Sequence, residues 1–301
     1  MITIFSIPRD FKNSDTARRQ RNALKSWIAL TPRPEILLFG DDAGIVETCA
    51  GFHVRHIPDV FKNEYGTPRL DGVFKKAREV ARHPVLCYVN ADILFTDVFL
   101  RAITRVMQWR SKFLAVGQRI NIDLPEDLDT ARPDWARELE RTAAEAGKPQ
   151  PPEGSDYFVF PKNILVNMPP FVVGRPAWDN WMIYYFRKIG VPVVDISRAY
   201  KPIHQEHDYS HVPQRRDTPG SGPEGDSNIR LLGYNESIRF FLIDSTHVMD
   251  ERSIHPQQEK HCLPTRVLHF MALHLPVFCK LMSFPLRLYH AMVDGHGASE
   301  R

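Results

Sequence analysis

Apolar and polar positions alternate in two rhythms along the first 122 residues. Residues 2–7 are a β-branched run stopped by Pro8, and 35–39, 52–57 and 85–89 repeat that signal, so each predicts a buried strand. Between them the period lengthens. Ser14 or Asp15 caps a helix reaching Ile28, with Ala17, Leu24 and Ile28 on one face, and 45–50 predict a short helix. In residues 69–82, Leu70, Val73, Phe74, Ala77, Val80 and Ala81 make a single apolar stripe, ended by Pro84. A second stripe over 97–108 holds Val98, Phe99, Ala102, Ile103, Val106 and Met107, and 113–122 alternate as one strand.

Strand–helix alternation predicts an α/β fold: a mostly parallel mixed sheet with helices on both faces. In such sheets ligands sit beyond the carboxyl ends of the strands. That rule gathers Pro8–Arg9, Asp41 and residues 90–92 around one crevice. Residues 125–153 break the rhythm with Asp, Glu, Arg, Ala and Pro and one polar helix over 133–146, which predicts a surface excursion or flap. Order returns at 154–161, followed by a helix over 178–189 and a strand over 191–196. Residues 215–226 are turn-rich and predict a mobile loop.

Composition narrows the class without choosing a function. The chain has 301 residues, 43% hydrophobic and 25% charged, so it has the material for a core and is neither disordered nor fibrous. A net charge of +3 gives no argument for nucleic acid as a partner. Cys49, Cys87, Cys262 and Cys279 are far apart with no Cys-x-x-Cys pair, which predicts reduced thiols in a cytoplasmic protein, the first two buried. The N-terminus lacks a basic leader, and no run of about 18 apolar residues predicts a membrane span.

Four stretches carry candidate chemistry. Asn90-Ala91-Asp92 ends an apolar strand, where alternation aims Asn90 and Asp92 the same way. The pair suits Mg²⁺ or Mn²⁺ and a phosphate, or equally an Asx turn capping the next helix. Residues 204–211 hold His204, His207, Asp208 and His211, a density that suits a metal without saying which imidazoles bind it. Asp179 opens the 178–189 helix between Trp178 and Trp181, where the helix dipole and the indoles suit a general base, or a simple cap. Thr67 and Arg69 open the 69–82 helix and suit phosphate binding.

The stretches YVNADILF (88–95), GSDYFVFP (154–161), PPFVVGRPAWDNW (169–181) and PVVDISRAYKPIHQEHDYSH (192–211) together resemble the GT-A class of nucleotide-sugar-dependent glycosyltransferases. The likeness is to a bacterial family-2-like group with a variant Asp-x-Asp motif, over roughly residues 1–248. It implies a nucleotide-binding half (1–122), an acceptor and metal half (154–211) and a C-terminal helical tail (249–301). It also implies a nucleoside diphosphate sugar as donor and a glycan or lipid-linked acceptor. Asp92 would meet a Mn²⁺ or Mg²⁺ ion with His207 or His211; Asn90 would bind ribose; Asp41 would meet the base; Pro8 and Arg9 would border the nucleotide. Asp179 would be the base of an inverting transfer, with Asp156, Trp178 and Trp181 on the acceptor or sugar side. A metal-dependent hydrolase using the histidine cluster and a nucleotidyltransferase are the alternatives. The second lacks the Gly-rich loop expected after the first strand, and no G-x-G-x-x-G follows any strand, against a dinucleotide oxidoreductase. Apolar residues of 264–293, divided by Pro276 and Pro285, predict short helices that pack on the domain or lie on the inner face of a membrane.

Overall fold

The computed structural model describes residues 1–151, 154–207, 222–232 and 239–275. Its strands are β1 (Ile2–Ser6), β2 (Glu35–Phe39), β3 (Arg55–Ile57), β4 (Val85–Val89), β5 (Ile93–Leu94), β6 (Leu114–Val116) and β7 (Ile120–Ile122). They continue with β8 (Lys148–Pro149), β9 (Tyr157–Pro161), β10 (Val193–Asp195), β11 (Ile203–Gln205), β12 (His247–Met249) and β13 (Ile254–Pro256). The helices are α1 (Ser14–Ile28), α2 (Ile45–Phe52), α3 (Leu70–Val80), α4 (Asp97–Trp109) and α5 (Trp135–Ala146), then α6 (Trp178–Lys188), α7 (Pro223–Leu231) and α8 (Leu263–His274).

A nine-stranded sheet runs β13-β12-β10-β6-β9-β4-β1-β2-β3, parallel except where β9 and β13 join it. Period-two alternation feeds two cores. Phe5, Leu37, Phe39, Leu86, Tyr88, Phe158 and Phe160 face α3, α6 and α8, while Ile4, Ile36, Leu38, Cys87 and Val159 face α1, α2 and α4. Both faces are therefore covered, as the alternation of strands and helices predicts. Cys49 and Cys87 are buried free thiols.

The structure corrects several expectations. Residues 113–122 are two strands in two sheets, because the chain bends at Gly117. A Cβ there would meet the Tyr157 hydroxyl at 2.6 Å and the Ser197 nitrogen at 3.2 Å. β7 instead joins a four-stranded sheet ordered β5-β11-β7-β8. Residues 125–151 of the expected excursion are tied down as well as exposed: Leu128, Leu139 and Ala143 are buried, and β8 pairs with β7, while 152–153 lie outside the described residues. Phe52 closes α2 rather than opening β3. The expected boundary at residue 248 falls inside β12, whose hairpin with β13 completes the large sheet. Residues 223–226 belong to α7 rather than to a loop, and 215–221 lie outside the described residues.

α8 packs on the α6 face through buried Ala272 and half-buried Leu268 and Met271, while Leu263, Val267, Phe270 and Leu275 stay exposed. The rest of the apolar tail, 276–293, lies outside the described residues. Among the described residues no helix is long and apolar enough to cross a membrane.

Candidate functional site

At the carboxyl ends of β1 and β4 opens a cleft of ≈ 440 Å³. Three loops and the small sheet build it. The first loop follows β1, where Gln20 of α1 accepts from the Arg9 nitrogen at 2.6 Å and donates to the Arg9 carbonyl at 3.1 Å. That fully anchored turn presents Pro8 and Arg9 to the cleft. The second loop precedes α3. Asn63 Oδ1 accepts from the nitrogens of Tyr65 and Thr67, an Asx turn that Gly66 completes at φ 80°, and Thr67 faces the cleft. The third runs from Val172 into α6 and carries Arg175, whose guanidinium pairs with Glu224 at the start of α7. Glu224 also accepts from Asn63 at 2.7 Å, so one carboxylate braces two cleft loops.

The deepest part of the cleft is polar and largely pre-paired. Antiparallel pairing of β4 with β9 sets Val89 opposite Tyr157, which brings Asn90 to Asp156. The Asn90 backbone nitrogen donates to the Asp156 carbonyl at 2.9 Å and its amide to the Asp156 carboxylate at 2.8 Å. Arg119, between β6 and β7, donates to the same carboxylate oxygen at 2.6 Å, both side chains nearly buried. An ion pair so desolvated persists only with further hydrogen bonds, which Asn90 supplies to the acid and Asn121 to the base.

Asp92 meets two imidazoles. β5 pairs antiparallel with β11, placing His204 opposite Ile93, so the chain after β11 passes directly over Asp92. Nε2 of His204 lies 3.3 Å and Nε2 of His207 3.1 Å from Asp92 Oδ2. Burial raises the Asp92 carboxyl pKa, but the charge and hydrogen bonds of His204 and His207 outweigh it and hold it well below the ordinary range. Asp92 Oδ1 and His204 Nδ1 are buried without a hydrogen-bond partner. One carboxylate and two imidazoles within 4.8 Å of one another, two of them carrying orphaned polar atoms, fit a divalent cation of the Mn²⁺ or Zn²⁺ type.

Asp179 stands in the first turn of α6, half-buried and beside Ser155 and Asp156. Burial pushes its carboxyl up to about 6 and the Asp156 charge adds to that, against the backbone N–H groups of Asn180 and Ser155. The approach to α6 is strained: Ala177, fully buried, has φ 86°. Asn228 of α7 holds it there, accepting from the Val172 nitrogen at 3.0 Å and donating to the carbonyls of Val172 and Pro176, each at 3.1 Å.

Of the residues singled out from the sequence, Pro8, Arg9, Thr67, Asn90, Asp92, Asp156, Trp178 and His207 line the cleft. Others do not. Trp181 is core, not a sugar platform: it stacks on Tyr185 with centroids 4.7 Å apart and packs on Phe171, because the apolar stripe of α6 faces the sheet. Asp41 turns outward and pairs with Lys62 at 2.5 Å, leaving Asp42 on the cleft wall. Arg69 is engaged by Asp71 at 2.6 Å. Asp179 lies behind the lining, next to Asp156. Asp208 and His211 lie outside the described residues. Sequence reasoning missed Arg19, Gln20, Arg119, Arg175 and Glu224, and although it counted His204 in the metal-suited cluster, the resemblance put His207 or His211 at the metal. The His204–His207 spacing at a strand end was the available signal; for the arginines there was none.

No protein-family model matches this chain, and no curated protein matches it. Solved structures are similar to it at low identity. Glucosyl-3-phosphoglycerate synthase of M. tuberculosis is 12% identical with a TM-score of 0.45, over 89% of this chain and 92% of that one. The same enzyme has been solved with Mn²⁺, uridine diphosphate and glucosyl-3-phosphoglycerate (11% identity, TM-score 0.40, 69% of this chain and 73% of that one). Residues 1–349 of S. aureus TarS, with UDP-GlcNAc, are 10% identical with a TM-score of 0.46, over 77% of this chain and 65% of that one.

Proposed function

We propose that this chain is a GT-A-type glycosyltransferase that moves a sugar from a nucleoside diphosphate sugar to an acceptor hydroxyl, with inversion and with a divalent cation. The observation that carries the reading is the convergence of Asp92, His204 and His207 in one cleft with Arg9, Thr67 and Arg175. A cation-binding acid between imidazoles, ringed by guanidinium groups and a helix-opening turn, is complementary to a diphosphate. Bound there, Mn²⁺ or Mg²⁺ would neutralise charge on the leaving diphosphate. Asp92, His204 and His207 would hold it.

The chain's own groups supply the rest. Arg9 and Arg175 bind phosphate oxygens from the rim, Arg175 held in aim by Glu224. Asn90 and Asp156 are locked together and offer fixed acceptors and donors to sugar hydroxyls. Asp179 is off the cleft lining but partly exposed beside Asp156, and it takes the proton from the acceptor hydroxyl as the hydroxyl oxygen attacks the anomeric carbon and the bond from that carbon to the diphosphate oxygen breaks. A carboxyl at about 6 is mostly ionised at neutral pH yet more basic than an ordinary aspartate, as a general base requires. The acceptor in this reading is a glycan or a lipid-linked acceptor, as the family resemblance implies.

The test is a calorimetric titration of the purified chain with UDP and GDP, with and without Mn²⁺, followed by a donor-sugar hydrolysis assay. Nucleoside diphosphate should bind at least ~10-fold more tightly with the cation. Asp92→Asn, which keeps size and one acceptor, should remove that gain and leave metal-free affinity as in the parent. Equal affinity in variant and parent in the presence of Mn²⁺ would refute the assignment, and metal binding without nucleotide binding would favour a hydrolase.

A further inference from the structure

Apart from the cleft, one other cluster of metal-ligating side chains occurs among the described residues: Asp244, His261 and His269, again with one ligand atom each within 4.8 Å of the others. We propose that these residues form a second divalent-cation site, of the kind zinc occupies, which fastens α8 to the body of the domain.

The three come from separate elements. Asp244 ends the 3₁₀ turn Leu242–Asp244 that leads into β12; His261 lies just before α8; His269 sits within it. His269 Nδ1 lies 2.7 Å from Asp244 Oδ1, and His261 Nε2 lies 3.2 Å from Asp244 Oδ2. Each imidazole therefore turns one nitrogen toward the same carboxylate, and the rings meet edge to face with centroids 4.9 Å apart. A tetrahedral ion with bonds of about 2.0–2.2 Å needs ligand atoms about 3.4 Å apart, so small rotations of the side chains admit it.

The ligands are pre-set. The His269 ring stacks on Phe240 at 4.5 Å, and the Phe241 nitrogen fixes Asp244 Oδ2 at 2.9 Å. Arg187, the nearby cation, gives its hydrogen bond to the Asp244 carbonyl at 2.9 Å and stays 3.9 Å from the carboxylate. The cluster opens on a cavity of ≈ 590 Å³, so water can complete the coordination. Ser245, 5% exposed, lines the same cavity with its Oγ buried and without a partner. Two imidazoles with one carboxylate favour a borderline cation such as zinc over Mg²⁺, and here, unlike in the cleft, no diphosphate would add the oxygen ligands that Mg²⁺ prefers.

The site does not rest on the reading of the cleft, and the experiment keeps them apart. Full-length Asp92→Asn protein, stripped with chelator, is titrated with Zn²⁺ by calorimetry and with Co²⁺ by visible absorption. One saturable equivalent should remain in Asp92→Asn, be lost with His261→Gln added, and be insensitive to Mg²⁺. Absence of that equivalent, or its survival in the His261→Gln double variant, overturns the proposal. A readout free of any folding defect in the double variant is hydrogen exchange on Asp92→Asn. Zn²⁺ should slow the backbone amides of 257–275 at least ~10-fold, since a cation that bridges elements stabilises them together. Unchanged exchange there overturns the proposal equally.

Discussion

Asp179→Asn tests the base and the burial argument together. The substitution keeps shape and an acceptor for the Ser155 and Asn180 N–H groups but cannot ionise. In the folded chain burial pushes the Asp179 carboxyl from 3.8 to about 6. The native state thus holds this proton more tightly than the unfolded state does, and stability falls as pH rises from about 4 to about 6. At 1.36 kcal/mol per pH unit the interval corresponds to ~3 kcal/mol, an order-of-magnitude cost fully present above pH ~6 and absent below pH ~4. Asp179→Asn removes it. Urea unfolding across pH 4–8 should give the variant a lead that grows from near zero to ~1–3 kcal/mol. Over the same range the parent's turnover should rise through pH ~6 as the base ionises, while the variant loses ~10²–10⁴ in kcat with donor affinity kept. A stability difference that is flat with pH would refute the desolvation argument, and retained turnover would make Asp179 a structural residue.

Two further substitutions probe how the site is held. Asn228→Ala removes the clamp on Val172 and Pro176 and leaves buried backbone groups unpaired; equilibrium unfolding should show a loss of ~2–4 kcal/mol, with kcat lowered although Asn228 lies off the cleft lining. Arg119→Ala strands Asp156 in a nearly buried setting and should cost ~3–5 kcal/mol, whereas Arg119→Met with Asp156→Leu should recover most of that stability but not donor turnover. A double variant no more stable than Arg119→Ala would argue that the pair itself holds the fold.

Much of the scaffold was legible because it obeys local periodicity. The stripe of α3 and the alternation in β1, β2 and β4 each state which side chains must leave water, and the two cores follow from that. Asp92 was legible too, since a short polar residue ending an apolar strand has few places to go but the crevice, whereas Asp156, which precedes β9, was put forward only by the family resemblance. What the local pattern could not contain was pairing between distant segments. The β5–β11 ladder alone brings His204 and His207 to an aspartate more than a hundred residues earlier, and β4–β9 pairing alone joins Asn90 to Asp156. Trp181 shows the converse: its side chain suits a sugar platform, but the same stripe that builds α6 turns it into the core. The break at Gly117, the brace of Glu224 across two loops and the meeting of His261 and His269 at Asp244 likewise belong to tertiary structure. Hydrophobic period is a property of neighbours in the chain, whereas a site is a property of neighbours in space, and only the folded sheet decides which residues those are.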